Sequence, residues 1–113
     1  MSEVQLSPQQ IIDALPGALV PEKAANTKAV IQFDVSGDQG GKWWAKIADG
    51  KAETGKGDAP ETANLTVIAA DGDFVKIMTG QMDGMSAFMS RKLQVKGDMG
   101  LAVKLQTLFK RPS

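Results

Sequence analysis

The sequence predicts an α+β fold: a five-stranded, mixed but mostly antiparallel sheet that is covered on one face by helices. Two observations lead to this prediction. Five short runs alternate apolar and polar residues, which is the period of a strand with one buried face. Around these runs, apolar residues recur at helical spacing next to capping residues. Because each strand is apolar on one side only, the helices should all pack against that side.

The first elements are expected to be helical. Ser7-Pro8-Gln9-Gln10 is a capping-box pattern with proline at the first helical position, so a helix should begin here. It should end near Pro16-Gly17. A second short helical turn is expected over Glu22–Ala25.

Three strands should follow as a meander. Alternation predicts the first strand over Ala29–Val35, and a turn-rich break at 36–41 leads into a second strand over Trp43–Ile47. Asp49-Gly50 is a strong signal for a tight turn into a third strand over Lys51–Gly55.

The second half of the chain alternates between helix and strand. A fourth strand is expected over 64–70, followed by a helix over 71–80 that ends at a glycine. A short helix over 85–90 and a brief fifth strand over 93–95 come next. Asp98 is a good N-cap for a last helix over 98–109.

Composition limits the classes of function. The chain has 113 residues, 42% of them apolar and 23% charged, so residues 1–113 are expected to form a single globular domain. The sequence shows no signal-peptide pattern and no apolar run of about 18 residues, and Arg111-Pro112-Ser113 is not a peroxisomal tripeptide. We therefore expect a cytoplasmic protein. The lack of His, Cys and Tyr removes the common general base, thiolate nucleophile and phenolic donor, so we expect no enzyme and no cofactor or metal.

Charge is unevenly distributed although the formal net charge is zero. Residues 91–113 carry six basic residues and one acidic residue. This region suits an anionic membrane or ligand head group, or it is a solvated face with cations near a helix C-terminus. Nucleic acid is not an expected partner, because an overall basic excess with interleaved aromatic residues is missing.

Methionines are concentrated in one part of the chain. Five of the six fall between Met78 and Met99, and Met82, Met85 and Met89 are spaced three and four residues apart. Methionine is unbranched and adaptable, so such a cluster indicates either a soft core or a lipid-sized cavity.

The last helix is apolar over an arc of roughly 220°, which is wider than one packed face requires. It should therefore cover the sheet and also another helix, a partner subunit or a bound hydrophobic ligand. Gln106 lies inside the arc and needs a hydrogen-bond partner, which is either a backbone group or the polar end of a ligand. Asp71 and Asp73 leave open a catalyst of the steroid-isomerase type, but their place at a helix start favours capping.

Three stretches carry a resemblance to a known family: Ala70–Phe74, Met78–Met82 and Met99–Gln106. They resemble the C-terminal half of sterol carrier protein type 2 domains, and Phe33 and Trp43 extend the resemblance over essentially the whole chain. It implies the strand order 3-2-1-4-5 and an apolar tunnel that takes up sterols, fatty acids, fatty acyl-CoA or phospholipids. Position 91 departs from the family, which commonly has glycine where this chain has arginine.

The resemblance also implies which residues contact the lipid ligand. The tunnel floor would be formed by Phe33 and Trp43. The walls would be formed by Phe74, Ile77, Met78, Met82, Met85, Phe88 and Met89. The lid side would be formed by Leu101, Leu105, Gln106 and Phe109.

The expected function is therefore non-covalent lipid binding and transport. Burial of each methylene contributes about 0.8 kcal/mol whatever the head group is, so broad specificity is expected. We expect a monomer that touches anionic membranes transiently through its basic C-terminal region. The alternative is a protein interaction or dimerisation module that uses the apolar C-terminal helix.

Overall fold

The computed structural model describes residues 7–109, apart from the side chains of residues 106 and 107. The expected elements are present, and their ends agree with the sequence to within about two residues. In chain order they are α1 (Pro8–Ala18), α2 (Pro21–Ala24), β1 (Ala29–Ser36), β2 (Gly41–Ala48), β3 (Lys51–Lys56), β4 (Leu65–Ala70), α3 (Asp71–Met78), α4 (Gly84–Met89), β5 (Leu93–Gly97) and α5 (Met99–Leu108). Within this range, none of the helices has the length and apolarity needed to cross a membrane.

The sheet has the strand order β3-β2-β1-β4-β5, which confirms the expected order. β1 lies at its centre, antiparallel to β2 and parallel to β4, and the two outer pairs are antiparallel. Asp49 and Gly50 both have positive φ, at 55° and 74°, as a type I′ hairpin turn between β2 and β3 requires. The sheet is therefore mixed but mostly antiparallel, as expected.

Helix α1 begins with the expected capping box and is attached to the sheet. The Gln10 N–H donates to Ser7 Oγ at 3.2 Å, and the Ser7 N–H donates to Gln10 Oε1 at 2.8 Å. The Trp43 Nε1–H donates to Gln9 Oε1 at 2.8 Å, which links α1 to β2. The core lies between this helix layer and the sheet, where apolar residues of α1, β1, β2 and β4 are buried together.

A crossover loop, residues 57–64, connects β3 to β4 and is attached to the central strand by Gln32. The Gln32 amide donates to the carbonyl oxygens of Trp43 at 3.0 Å and Gly57 at 3.1 Å, and its Oε1 accepts the Ala59 N–H at 2.8 Å. Glu61 of this loop pairs with Lys46 at 2.8 Å, and this hydrogen bond raises the pKa of Lys46. The loop is thus held to the sheet at several points.

The crossover loop explains an apolar residue on the polar face of the sheet. Alternation places Val30, Trp44 and Ile68 on that face, opposite the helices. Val30 is buried beside the loop, where its N–H donates to Asn64 Oδ1 and its C=O accepts the Asn64 N–H, both at 2.8 Å. Trp44 lies over Gly55, where a Cβ atom would come within 2.5 Å of the indole. Ile68 is half-buried.

Replacing Gln32 with leucine should lower the free energy of unfolding by about 2 kcal/mol, because partly buried loop groups lose their hydrogen-bond partners. Urea unfolding would measure this change. Gln94→Leu is a matched control, since Gln94 is exposed on the edge strand β5 and its loss should change stability by less than about 0.5 kcal/mol. Equal effects of the two changes would contradict the assignment of Gln32 as the loop anchor.

Candidate ligand-binding site

A cavity of about 140 Å³ lies between the helices and the sheet. Its described wall consists of apolar side chains and one glycine, and no polar or charged side chain of the described residues lines it. Water gains few hydrogen bonds in such a space, whereas an apolar guest loses none. The geometry therefore favours a hydrophobic ligand.

The side of the sheet that the helices cover is not fully buried at the cavity. Val67 of β4 and Val95 of β5 are paired across the two strands, and both line the cavity. Both are only half-buried, although Leu65 and Ala69, two residues away from Val67 on the same strand, are buried. The helix layer thus leaves apolar surface of the sheet accessible at this point.

The size of the cavity limits what it holds without movement. Pockets for small molecules commonly measure about 300–1,000 Å³, and an apolar cavity of about 150 Å³ accepts a guest the size of benzene. A long acyl chain would need more room than the 140 Å³ found here. Met78 and Met82 line the cavity, and their unbranched side chains can change rotamer to enlarge it.

The structure brings together about half of the residues that the resemblance implied. Those that line the cavity are Phe33, Phe74, Ile77, Met78, Met82, Leu105 and Phe109. Trp43 and Leu101 are instead buried in the adjoining core, and Trp43 is held there by its bond to Gln9. The Gln106 side chain lies outside the described part of the structure.

Three expected wall residues do not line the cavity. Met85, Phe88 and Met89 on α4 are exposed, with 55%, 40% and 77% of their surfaces accessible. The buried positions of α4 are Gly84 and Ala87, one helical turn apart, so these small residues form its inner face. Contact between the three exposed side chains and a ligand stays a prediction.

One wall of the cavity was not anticipated, and it is formed by α1. Four residues at the spacing i, i+3, i+4, i+7 line it: Ile11, Ala14, Leu15 and Ala18. Such a stripe is the ordinary pattern of an amphipathic helix that packs on a core, so it carries no specific signal of a binding site. The other unexpected lining residues are Val67, Gly84, Leu93, Val95 and Ala102.

Asp71 stabilises a turn and does not line the cavity. Its carboxylate accepts the Gln39 N–H at 3.1 Å and the Gly72 N–H at 2.8 Å, so it joins the start of α3 to the β1–β2 turn. These hydrogen bonds lower the pKa of Asp71 below its usual value of 3.8, and the bond from Gln39 has the largest effect. A lowered pKa is the opposite of what a general base needs at neutral pH, so a structural role for this carboxylate in the first turn of α3 fits better than catalysis.

Replacing Asp71 with asparagine should lower Tm at neutral pH more than at acidic pH. Because the folded-state pKa is the lower one, the carboxylate adds stability above pH 3.8, and that contribution is lost as pH falls below 3.8 through the folded pKa. Thermal unfolding of the wild type and of Asp71→Asn between pH 7 and pH 2 would measure how the difference in Tm depends on pH. A difference in Tm that does not change with pH would contradict the charged contact.

Helix α4 ends in a Schellman motif with an arginine at the position where glycine is usual. The Lys92 N–H donates to the Ala87 carbonyl at 2.8 Å, and the Arg91 N–H donates to the Phe88 carbonyl at 3.2 Å. Arg91 has φ of 64°, in the left-handed region, which costs a residue with a Cβ atom roughly 1 kcal/mol relative to glycine. The chain therefore holds an exposed cation at a strained position.

Comparison with known proteins identifies a family that matches nearly the whole chain. The profile of the SCP-2 sterol transfer family matches residues 9–110. Hydroxysteroid dehydrogenase-like protein 2 of Xenopus tropicalis is 37% identical over 101 residues, which are 89% of this chain and 24% of that protein. The Homo sapiens protein of the same name is 36% identical over 83 residues, which are 74% of this chain and 20% of that protein. The chain thus spans about a quarter of the length of these relatives or less.

Solved structures show the same fold. Sterol carrier protein 2 from Yarrowia lipolytica, in its apo form, has a TM-score of 0.60 and 25% identity, covering 78% of this chain and 69% of that one. Palmitated SCP2L2 from Aedes aegypti has a TM-score of 0.70 and 21% identity, covering 96% of this chain and 99% of that one. The sec-alkylsulfatase Pisa1 from Pseudomonas sp. has a TM-score of 0.83 and 18% identity, covering 96% of this chain but 17% of that one.

Proposed function

Because the chain belongs to the SCP-2 sterol transfer family, we propose that it binds one hydrophobic lipid in the cavity and carries it non-covalently. The observation that carries this proposal is an apolar cavity whose described wall offers no polar side chain. The ligand's apolar part would occupy the cavity, and its head group would remain at the surface. Fatty acids, fatty acyl-CoA, sterols and phospholipids all combine an apolar part with a polar head group.

The binding energy would come from apolar burial. Each methylene removed from water contributes about 0.8 kcal/mol, so a long acyl chain has an upper bound near 12 kcal/mol before the costs of association and ordering. Since this energy does not depend on the head group, broad specificity follows. Met78 and Met82 would move aside to lengthen the cavity for a full chain.

Catalysis has no part in this proposal. The relatives named after hydroxysteroid dehydrogenase are matched over 24% of their length or less, so their name describes proteins with much additional sequence. We propose that the part matched here acts as a carrier. A monomeric state, a cytoplasmic location and contact with anionic membranes through the basic C-terminal region also stay predictions, and Lys110 and Arg111 of that region lie outside the described residues.

Native mass spectrometry of the freshly purified protein tests the carrier function directly. We expect a monomer with a retained adduct of lipid mass, which disappears after delipidation and returns when palmitate is added. An empty protein that takes up neither palmitate nor cholesterol would refute the proposal. A concentration-dependent dimer without lipid would instead favour the alternative, an interaction module that uses the apolar C-terminal helix.

A further inference from the structure

Two methionines are the only side chains in the described wall of the cavity that a mild oxidant can modify. Met78 and Met82 line the cavity together with hydrocarbon side chains and Gly84. A thioether sulfur has a lone pair that peroxides oxidise to a sulfoxide, whereas the hydrocarbon side chains around it resist such oxidants. A change in redox conditions would therefore alter the described wall at these two positions.

Both methionines lie in the accessible part of the cavity. Phe74 at the closed part is 2% exposed, whereas Met78 and Met82 are half-buried. Met82 belongs to the short segment between α3 and α4, where its N–H donates to the Lys76 carbonyl at 3.0 Å. The residues on either side of Met82 are exposed. A small oxidant such as hydrogen peroxide can therefore reach the two side chains from solvent.

A sulfoxide at either position would find no side-chain donor in the described wall. Its oxygen is a strong hydrogen-bond acceptor, but no polar or charged side chain of the described residues lines the cavity. The hydroxyl of Thr79, which follows Met78 in the chain, already donates to the Val75 carbonyl at 2.8 Å. Water can solvate the oxygen in an empty cavity, whereas a bound acyl chain would exclude that water. Oxidation should therefore disfavour the lipid-bound state.

We propose that Met78 and Met82 form an oxidation switch, in which hydrogen peroxide converts their thioethers to sulfoxides and the modified cavity releases its lipid. The sulfur lone pair attacks one peroxide oxygen, the O–O bond breaks, an S–O bond forms, and the other oxygen leaves with both protons as water. The sulfur is oxidised by two electrons and the peroxide is reduced. A methionine sulfoxide reductase reverses the change with two thiols, which gives the thioether, water and a disulfide. This inference rests on the proposed carrier function and adds regulation of the same site.

Binding and oxidation should be coupled in both directions. A lipid that fills the cavity covers Met78 and Met82, so only the empty protein should react at these positions. Met85 and Met89 on α4 are 55% and 77% exposed and do not line the cavity, so their oxidation should not respond to lipid. The chain thus contains methionines of both kinds within one short segment.

Oxidation followed at each methionine tests this coupling. Delipidated protein is treated with hydrogen peroxide, with and without palmitate at about ten times its Kd, and tandem mass spectrometry locates the sulfoxides. Roughly one tenth of the protein is then empty, so oxidation of Met78 and Met82 should slow about tenfold. Oxidation of Met85 and Met89 should keep its rate. Equal rates with and without palmitate at Met78 and Met82, or equal slowing at all four positions, would overturn the switch.

Palmitate affinity before and after peroxide treatment tests the consequence. Oxidation should weaken binding by the wild type at least about tenfold, because a buried acceptor is left unpaired. The double variant Met78→Leu/Met82→Leu, compared with its own untreated form, should lose less than about twofold, since no sulfoxide forms in its described wall. The matched double variant Met85→Leu/Met89→Leu should show the same loss as the wild type. Methionine sulfoxide reductases with dithiothreitol should restore the wild-type affinity.

The outcomes separate the switch from the carrier function. Unchanged affinity of the fully oxidised wild type would overturn the switch, as would a loss that persists in Met78→Leu/Met82→Leu. Near-ultraviolet circular dichroism would show whether the oxidised protein stays folded, and loss of the fold would overturn the switch because release would then follow from unfolding. Absence of palmitate uptake by the untreated wild type would refute the carrier function instead.

Discussion

Filling the cavity with Ala102→Trp should weaken the binding of a fluorescent long-chain fatty acid roughly fiftyfold. Ala102 lies on α5, lines the cavity and is half-buried, so a larger side chain there points into the space that the ligand would use. If the indole excludes about three methylenes at about 0.8 kcal/mol each, the loss is about 2.4 kcal/mol. A fluorescence titration of the delipidated protein would measure the dissociation constant.

The neighbouring residue provides the control. Val103 is on the same helix but 63% exposed, so Val103→Trp adds the same indole on the solvent side and should leave affinity unchanged. Near-ultraviolet circular dichroism and Tm would show that both variants remain folded. Wild-type affinity in a folded Ala102→Trp protein would mean that lipid does not bind in this cavity.

Truncating Phe74 should produce the largest loss of stability. Its side chain is 2% exposed, and its ring meets that of Phe33 edge to face, with centroids 5.7 Å apart and an interplanar angle of 70°. Phe→Ala changes at buried positions cost about 3–5 kcal/mol through lost burial and the space left behind. Urea unfolding of Phe74→Ala should show this decrease in the free energy of unfolding.

The same substitution at an exposed position shows whether the loss of stability comes from burial or simply from removing a phenylalanine ring. Phe88 is 40% exposed on α4, so Phe88→Ala should cost less than about 1 kcal/mol. A comparably small loss for Phe74→Ala would show that its ring is loosely held beside the cavity and that the Phe33–Phe74 contact contributes little to folding.

Local signals predicted the elements of this fold well, because each depends on neighbouring residues. Ser7 and Asp98 act as N-caps as expected, and the Asp49-Gly50 turn has the backbone angles that its sequence requires. The parallel pairing of β1 with β4 is different, since it joins strands that are far apart in the chain. No local pattern specifies that contact, and the strand order came from the family resemblance.

The site was predicted less well for a physical reason. The spacing of Met82, Met85 and Met89 is helical, but Met82 precedes the helix, whose N-cap is Asp83. The pattern therefore crosses a helix boundary, and only Met82 of the three lines the cavity. The inner face of α4 is formed by glycine and alanine, which carry no strong hydrophobic signal in a sequence.

The end of α5 is attached to the segment between α1 and α2. The Val20 N–H donates to the Leu108 carbonyl at 2.7 Å, and Leu19 forms an antiparallel bridge with Phe109, itself a cavity residue. One side of the cavity thus needs residues synthesised early to meet residues synthesised late. Because Ala102, Leu105 and Phe109 belong to the cavity wall, that wall can be complete only after translation has passed residue 109.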